Sequence, residues 1–209
     1  MQLSPARFNA HLAKMGQSFS WRRGYACPCI NPSSGQPKAN CRQCKGKGRL
    51  WGDASDGWAG VVSQSRLRNY AAFGIWDADD ILLSIPSDSP LYAMGQFDRI
   101  EAMNRTEPFS INFVRGLNDL VRFDVVSLNR AFYLDAGENI VELPLPTINP
   151  NGTITWAAGG PPAQATFSLT GRRHPSYYCY MELPTDRPIH SGALLPRKVV
   201  LRRFDLFGK

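Results

Sequence analysis

Beyond Trp51 the chain alternates apolar and polar positions with a period of two. Phe109, Ile111 and Phe113 stand against Ser110 and Asn112, and Val121, Phe123 and Val125 stand against Arg122 and Asp124. This period places one face on a core and the other in water, as half-buried antiparallel strands require. Strands are predicted over 60–65, 80–85, 109–115, 120–128, 131–135, 139–143, 153–156, 165–169, 177–183 and 198–204. Asn151-Gly152 is a strong short hairpin signal, Gly159-Gly160-Pro161-Pro162 marks a loop, and the prolines bound strands rather than interrupt helices. The close spacing of so many short strands predicts a mainly β fold, an antiparallel β-barrel or sandwich.

The front of the chain reads differently. Ser4-Pro5 is a helix start, a capping side chain followed by a ring already set at helical φ, and Phe8, Leu12 and Met15 then recur at helical spacing. A short amphipathic helix ending near Gly16 is expected. Its apolar stripe is narrow, so it must dock on the body of the chain or on a neighbouring subunit.

Between these regions lie four of the five cysteines, Cys27-Pro-Cys29 and Cys41-Arg-Gln-Cys44. The intervening loop has two prolines, a glycine and no aromatic residue, so it cannot bury a core of its own. Two close Cys pairs suit one tetrahedral Zn²⁺, and a closed shell of four thiolates leaves no position open for chemistry. A structural zinc knuckle is therefore expected. Disulfides are the competing reading, but Cys27 and Cys29 are too close in sequence to bridge comfortably and no signal-peptide pattern precedes them. Gly46 and Gly48 permit the positive φ angles needed to fold the backbone around sulfur. Cys41-x-x-Cys44-x-Gly46-x-Gly48 resembles one half of the knuckle found in the cysteine-rich domain of J-domain co-chaperones, a likeness that implies metal binding alone. Cys179, inside an aromatic run, is expected to be a buried small hydrophobe. The expected organisation is a helical arm over 1–18, a basic four-cysteine zinc knuckle over 19–52 and the β-domain over 53–209.

Charge sharpens this division. The first 51 residues hold nine Lys or Arg and no Asp or Glu, whereas the remaining 158 hold 15 basic and 17 acidic residues. The overall +7 is thus a property of the front segment. Arg22, Arg23, Lys38, Arg42, Lys45, Lys47 and Arg49 are the candidate contacts to an anionic partner, either phosphates or an acidic protein surface. No apolar run approaches membrane-helix length, and a reducing site of synthesis fits the free thiols.

Catalytic signatures are missing from the sequence. His11, His174 and His190 fall in no HExxH-like pattern, Ser191-Gly192 lacks a nucleophile elbow, and no phosphate-cradling glycine loop is present. Asp77, Asp79 and Asp80 offer carboxylates suited to a hard cation, though a turn before the apolar run 81–85 is the simpler reading. No enzymatic activity is expected.

Asp80-Ile-Leu-Leu-Ser-Ile-Pro86, Phe97-Asp98-Arg99-Ile100 and Phe113-Val-Arg-Gly116 resemble the small barrels of tailed-bacteriophage neck proteins. Thr155-Trp156, His174-Pro175-Ser-Tyr and Leu195-Pro196-Arg197-Lys-Val-Val-Leu-Arg-Arg203 are similar to runs in phage head-tail connector components. The resemblance implies a virion structural protein, made in the host cytoplasm, that forms a homo-oligomeric ring at the head-tail junction. It implies a portal or adaptor protein and tail proteins as partners, with packaged DNA in the channel, and no membrane. The alternative expectation is a zinc-knuckle nucleic-acid-binding protein with a β-rich oligomerisation domain.

Overall fold

The computed structural model describes residues 4–62, 79–157, 159–183, 188–190 and 192–207. These form two compact units: Met1–Asn104 with Ser176–Lys209, and Arg105–Pro175.

In the first unit, helix α1 (Pro5–Met15) starts where expected, its cap Ser4 accepting from the Arg7 N–H at 3.5 Å. Six antiparallel strands follow: β1 (Gln17–Ala26), β2 (Arg49–Val61), β3 (Ile81–Ile85), β4 (Arg99–Ala102), β11 (Ser176–Glu182) and β14 (Arg197–Arg203). They close into a barrel in the order β1-β2-β3-β14-β11-β4. Every strand sends alternate residues inward, among them Phe19 and Trp21, Leu83 and Ile85, Tyr177 and Cys179, and Val199 and Leu201. One end is covered by the 3₁₀ turn Pro90–Ala93, whose Leu91 is fully buried and lies where a Cβ on Gly57 would come within 2.6 Å of it. Arg197 secures this cover by donating to the carbonyls of Tyr92 and Met94 and pairing with Glu182 at 2.6 Å. The segment 87–98 is thus partly core. Helix α1 docks on this same barrel: Leu12 is buried over Gly60, and Asn9 Nδ2 donates to Ser87 Oγ at 2.8 Å. Phe8 and Met15 stay exposed, so only the middle of the predicted stripe is used. A short hairpin, β12 (Ile189–His190) with β13 (Ala193–Leu194), completes the unit.

The second unit is a four-stranded antiparallel sheet in the order β5-β10-β6-β7: β5 (Glu107–Val114), β6 (Val125–Leu134), β7 (Ile140–Leu143) and β10 (Thr166–Arg173). Phe109, Phe113, Ala131, Phe167 and Leu169 form its buried face, joined by Val121 and, partly, by Trp156. Hairpin β8 (Thr147–Ile148) with β9 (Ile154–Thr155) turns through Asn151-Gly152, Gly152 at φ 82°, as its sequence signals. Two predicted strands, 120–128 and 131–135, are replaced by β6 alone. Register shifts where Thr170 pairs with Arg130 and Gly171 with Leu128, so Asn129 is the extra residue of a β-bulge and not a turn.

The predicted strand 60–65 survives as the end of β2; residues 63–65 lie outside those described, as does Asp77. The expected boundaries after 18 and 52 fall within β1 and β2, so both flanks of the knuckle are barrel strands. The expected β-domain over 53–209 divides in turn, because β4 and β11 return to the barrel while 105–175 makes its own core.

Candidate metal centre

Strands β1 and β2 pair from Gln17 with Ala59 to Ala26 with Arg49, and the cysteine segment is the long connection at the tip of that hairpin. Its ends are held together by the ladder, and the Cys27 N–H donates to the Gly48 carbonyl at 2.9 Å. Inside, two turns aim the sulfurs. The Ile30 N–H donates to the Cys27 carbonyl at 3.1 Å, closing the turn that carries Cys29. The Lys45 N–H donates to the Cys41 carbonyl at 2.8 Å and the Lys47 N–H to the Cys44 carbonyl at 3.0 Å, wrapping the second pair. The chain reverses here through left-handed residues, Lys45 at φ 51°, Gly46 at 82° and Gly48 at 70°. A Cβ on Gly46 would stand 3.0 Å from the Ala39 carbonyl oxygen, so the glycine is needed both for its φ and for space.

All four sulfurs lie within 4.8 Å of one another. Cys27 and Cys41 Sγ are 3.8 Å apart and Cys29 and Cys44 Sγ are 3.5 Å apart. A metal with sulfur bonds of about 2.3 Å in a tetrahedron needs sulfur–sulfur edges of about 3.8 Å, whereas a disulfide needs about 2.05 Å. The spacing fits a shared ion, and all five cysteines are free thiols. Cys27 and Cys44 are buried while Cys29 and Cys41 are half-buried, so the group would be shielded on one side and open on the other.

Electrostatics point the same way. Backbone N–H groups of Cys44 and Gln43 draw the Cys41 thiol down to about 6, while burial and hydrogen bonding to neighbouring sulfurs push Cys29 up to about 12. Four close sulfurs cannot all ionise without a cation among them. The arrangement can therefore hold a metal ion, and its four sulfurs would fill a tetrahedral shell. The histidines contribute nothing to it: His174 Nδ1 contacts the Arg105 carbonyl, His190 lies in β12 and His11 is exposed on α1.

Cys179 is buried in the barrel core and its thiol is pushed up to about 12 by that burial, in keeping with a small hydrophobe. Asp80 is fully buried and pairs with Arg202 through two contacts, at 3.0 and 3.2 Å, a structural role that leaves it poorly placed to serve a cation.

The seven candidate cations separate into two sets. Arg23 lies over Trp21 and donates to the Ala93 carbonyl, Arg49 lies 4.3 Å over Phe97, Lys47 lies 4.5 Å over Phe204, and Arg22 is half-buried in β1. Lys38, Arg42 and Lys45 are exposed on the cysteine segment itself.

Two features where the β1–β2 ladder meets the cysteine tip were not legible beforehand. Asp98, almost wholly buried, accepts from Trp21 Nε1 at 2.8 Å, the Gly24 N–H at 2.7 Å and the Gly95 N–H at 2.9 Å, pinning β1 at its register shift. Beside it, Trp51 packs edge-on against Phe204 and Phe207 at 5.1 and 5.6 Å and donates to the Phe97 carbonyl at 3.1 Å. The only hint in sequence was Gly24, where a Cβ would meet the Phe97 carbonyl oxygen at 2.7 Å.

No protein-family model and no curated protein sequence matches this chain.

Proposed function

We propose that this chain is a structural protein of a tailed-phage virion, forming an oligomeric ring in the neck that connects or closes the head-tail junction around the DNA channel. Zn²⁺ is the ion assigned to the four cysteines, because an all-thiolate tetrahedral shell favours zinc and is closed to catalysis. The observation that carries the reading is the continuity of the barrel hairpin into the cysteine tip. A rigid barrel strand pair, β1 and β2, extends directly into a segment that a metal can pin. Such a projection is suited to fastening onto a partner and carries no group placed to react. Portal or adaptor and tail proteins are the partners in this reading, and the protein acts as no enzyme.

A second reading, a zinc-knuckle nucleic-acid-binding protein with a β-rich oligomerisation domain, is favoured by the exposed cations Lys38, Arg42 and Lys45. Electron microscopy of intact particles separates the two. Density for a ring of this chain below the portal supports the first; its absence from particles, with tight nucleic-acid binding by a monomer, supports the second.

A further inference from the structure

We infer that the metal-pinned tip of the β1–β2 hairpin contacts the phosphate backbone of duplex DNA through Lys38, Arg42 and Lys45. This inference rests on the reading of the tip as a zinc-held fastener and names what it fastens to. All three side chains are exposed, and none makes an ion pair with a described residue. They lie within one short stretch, 38–45, whose two cysteines belong to the same sulfur cluster. Their backbone is therefore held close to the sulfur cluster. No acidic residue occurs in the chain before Asp53, and a Zn²⁺ held by four thiolates would set only about −2 against the nine basic residues of the first 51.

The surroundings decide between DNA and an acidic protein. Among the described residues from Cys27 to Gly48 no large apolar side chain is exposed; Ile30 and Pro37 are half-buried, and the exposed residues are Asn, Ser, Gln, Gly, Lys and Arg with small Pro and Ala. Protein–protein interfaces centre on aromatic and apolar anchors and are depleted in Lys. Phosphate-binding surfaces are polar, cationic and rich in short hydrogen-bonding side chains. The tip has the second composition. Of the large aromatics nearby, Trp51, Phe97, Phe204 and Phe207 pack on one another where the ladder meets the tip and are committed to holding it, while Tyr25 near the end of β1 is 53 % exposed. The contact is accordingly to backbone and indifferent to sequence.

The test uses the full-length, zinc-loaded protein and a fluorescein-labelled random-sequence duplex, with anisotropy followed across a KCl series. Three neutralised phosphates predict a log–log slope of about −2.7, so affinity falls about 40-fold between 50 and 200 mM salt. Each of K38Q, R42Q and K45Q should make the slope shallower by about one. The double variant R7Q/K14Q, which removes two exposed cations from α1 instead, should leave the slope unchanged. Absence of duplex binding overturns the inference, as does an equal effect of the α1 and tip variants. Binding to poly-glutamate without binding to duplex also overturns it and assigns the tip to an acidic protein surface. Zinc content, measured on the same samples, shows separately whether the fastener itself is formed.

Discussion

Replacing Asp98 with alanine tests the account of how the hairpin is held below its cysteine tip, because one carboxylate there satisfies three donors at once. Its oxygens accept from Trp21 Nε1 at 2.8 Å and from the N–H groups of Gly24 and Gly95 at 2.7 and 2.9 Å, while the residue is only 2 % exposed. A hydrogen bond to a charged group contributes about 1.5–3 kcal/mol, and a buried donor left unsatisfied costs about 1–3 kcal/mol. Three such bonds are not additive, since they share one acceptor and water can reach the two glycine N–H groups in the variant. A loss of about 3–5 kcal/mol is therefore expected, a large fraction of the roughly 5–15 kcal/mol that holds a domain of this kind. Chemical denaturation followed by tryptophan fluorescence reports it directly, since Trp21 loses its partner. At about 2–4 °C per kcal/mol the melting temperature should fall by roughly 10 °C. Asp98→Asn, which keeps the shape but turns an amide toward one donor, should fall between the two. A D98A variant within about 1 kcal/mol of the wild type would refute the view that this carboxylate anchors the hairpin from which the cysteines project.

Leu91→Ala should cost about 2–5 kcal/mol by calorimetry, because the side chain is fully buried against Gly57 and its removal leaves a cavity under the barrel cover. Gly171→Ala should disrupt the four-stranded sheet, since the new methyl would sit 2.1 Å from the Ser127 carbonyl oxygen at the bulge; loss of amide-exchange protection in β6 and β10 would report it. In metal-free protein at pH 7, iodoacetamide should label Cys41 faster than Cys29, following thiols held at about 6 and about 12, and bound zinc should protect both. Lowering the pH should release the metal, because protons compete for the thiolates: Cys41, depressed by its N–H donors, stays available until the pH falls through about 6, while Cys29 must lose its proton at any lower pH to bind. Chelator competition from pH 8 to 5 should show affinity falling throughout; a flat profile would count against thiolate ligation.

The β-rich character, the N-terminal helix and the sulfur cluster were legible because each rests on local signals. Period-two alternation marks β5, capping marks α1, and paired cysteines mark the tip. The strands flanking the cysteines were not recognised, although Phe19 and Trp21 alternate with Ser18 and Ser20. The sequence Arg49-Leu-Trp-Gly-Asp-Ala-Ser-Asp-Gly57 of β2 explains the difficulty, since Gly, Asp and Ser usually mark turns. Barrel closure overrides that propensity: glycine at 57 is required because Leu91 occupies the space above it. Closure itself joins β4 to both β1 and β11, a long-range pairing that no local pattern encodes. The same limit hid Asp98, whose three donors come from two separate stretches of chain, and the bulge at Asn129, which reads locally as a turn. Among the seven front-segment cations, only the fold distinguishes Arg23 and Arg49, committed to aromatic rings, from the exposed Lys38, Arg42 and Lys45.

X-ray absorption at the zinc edge, with metal content determined on the same preparation, probes the metal centre most directly. One equivalent of zinc with four sulfur neighbours at about 2.3 Å and no nitrogen or oxygen in the first shell is the predicted result. A shell containing nitrogen or oxygen, or less than about half an equivalent of zinc in protein purified without chelator, would contradict the assignment of Cys27, Cys29, Cys41 and Cys44 to one closed structural site.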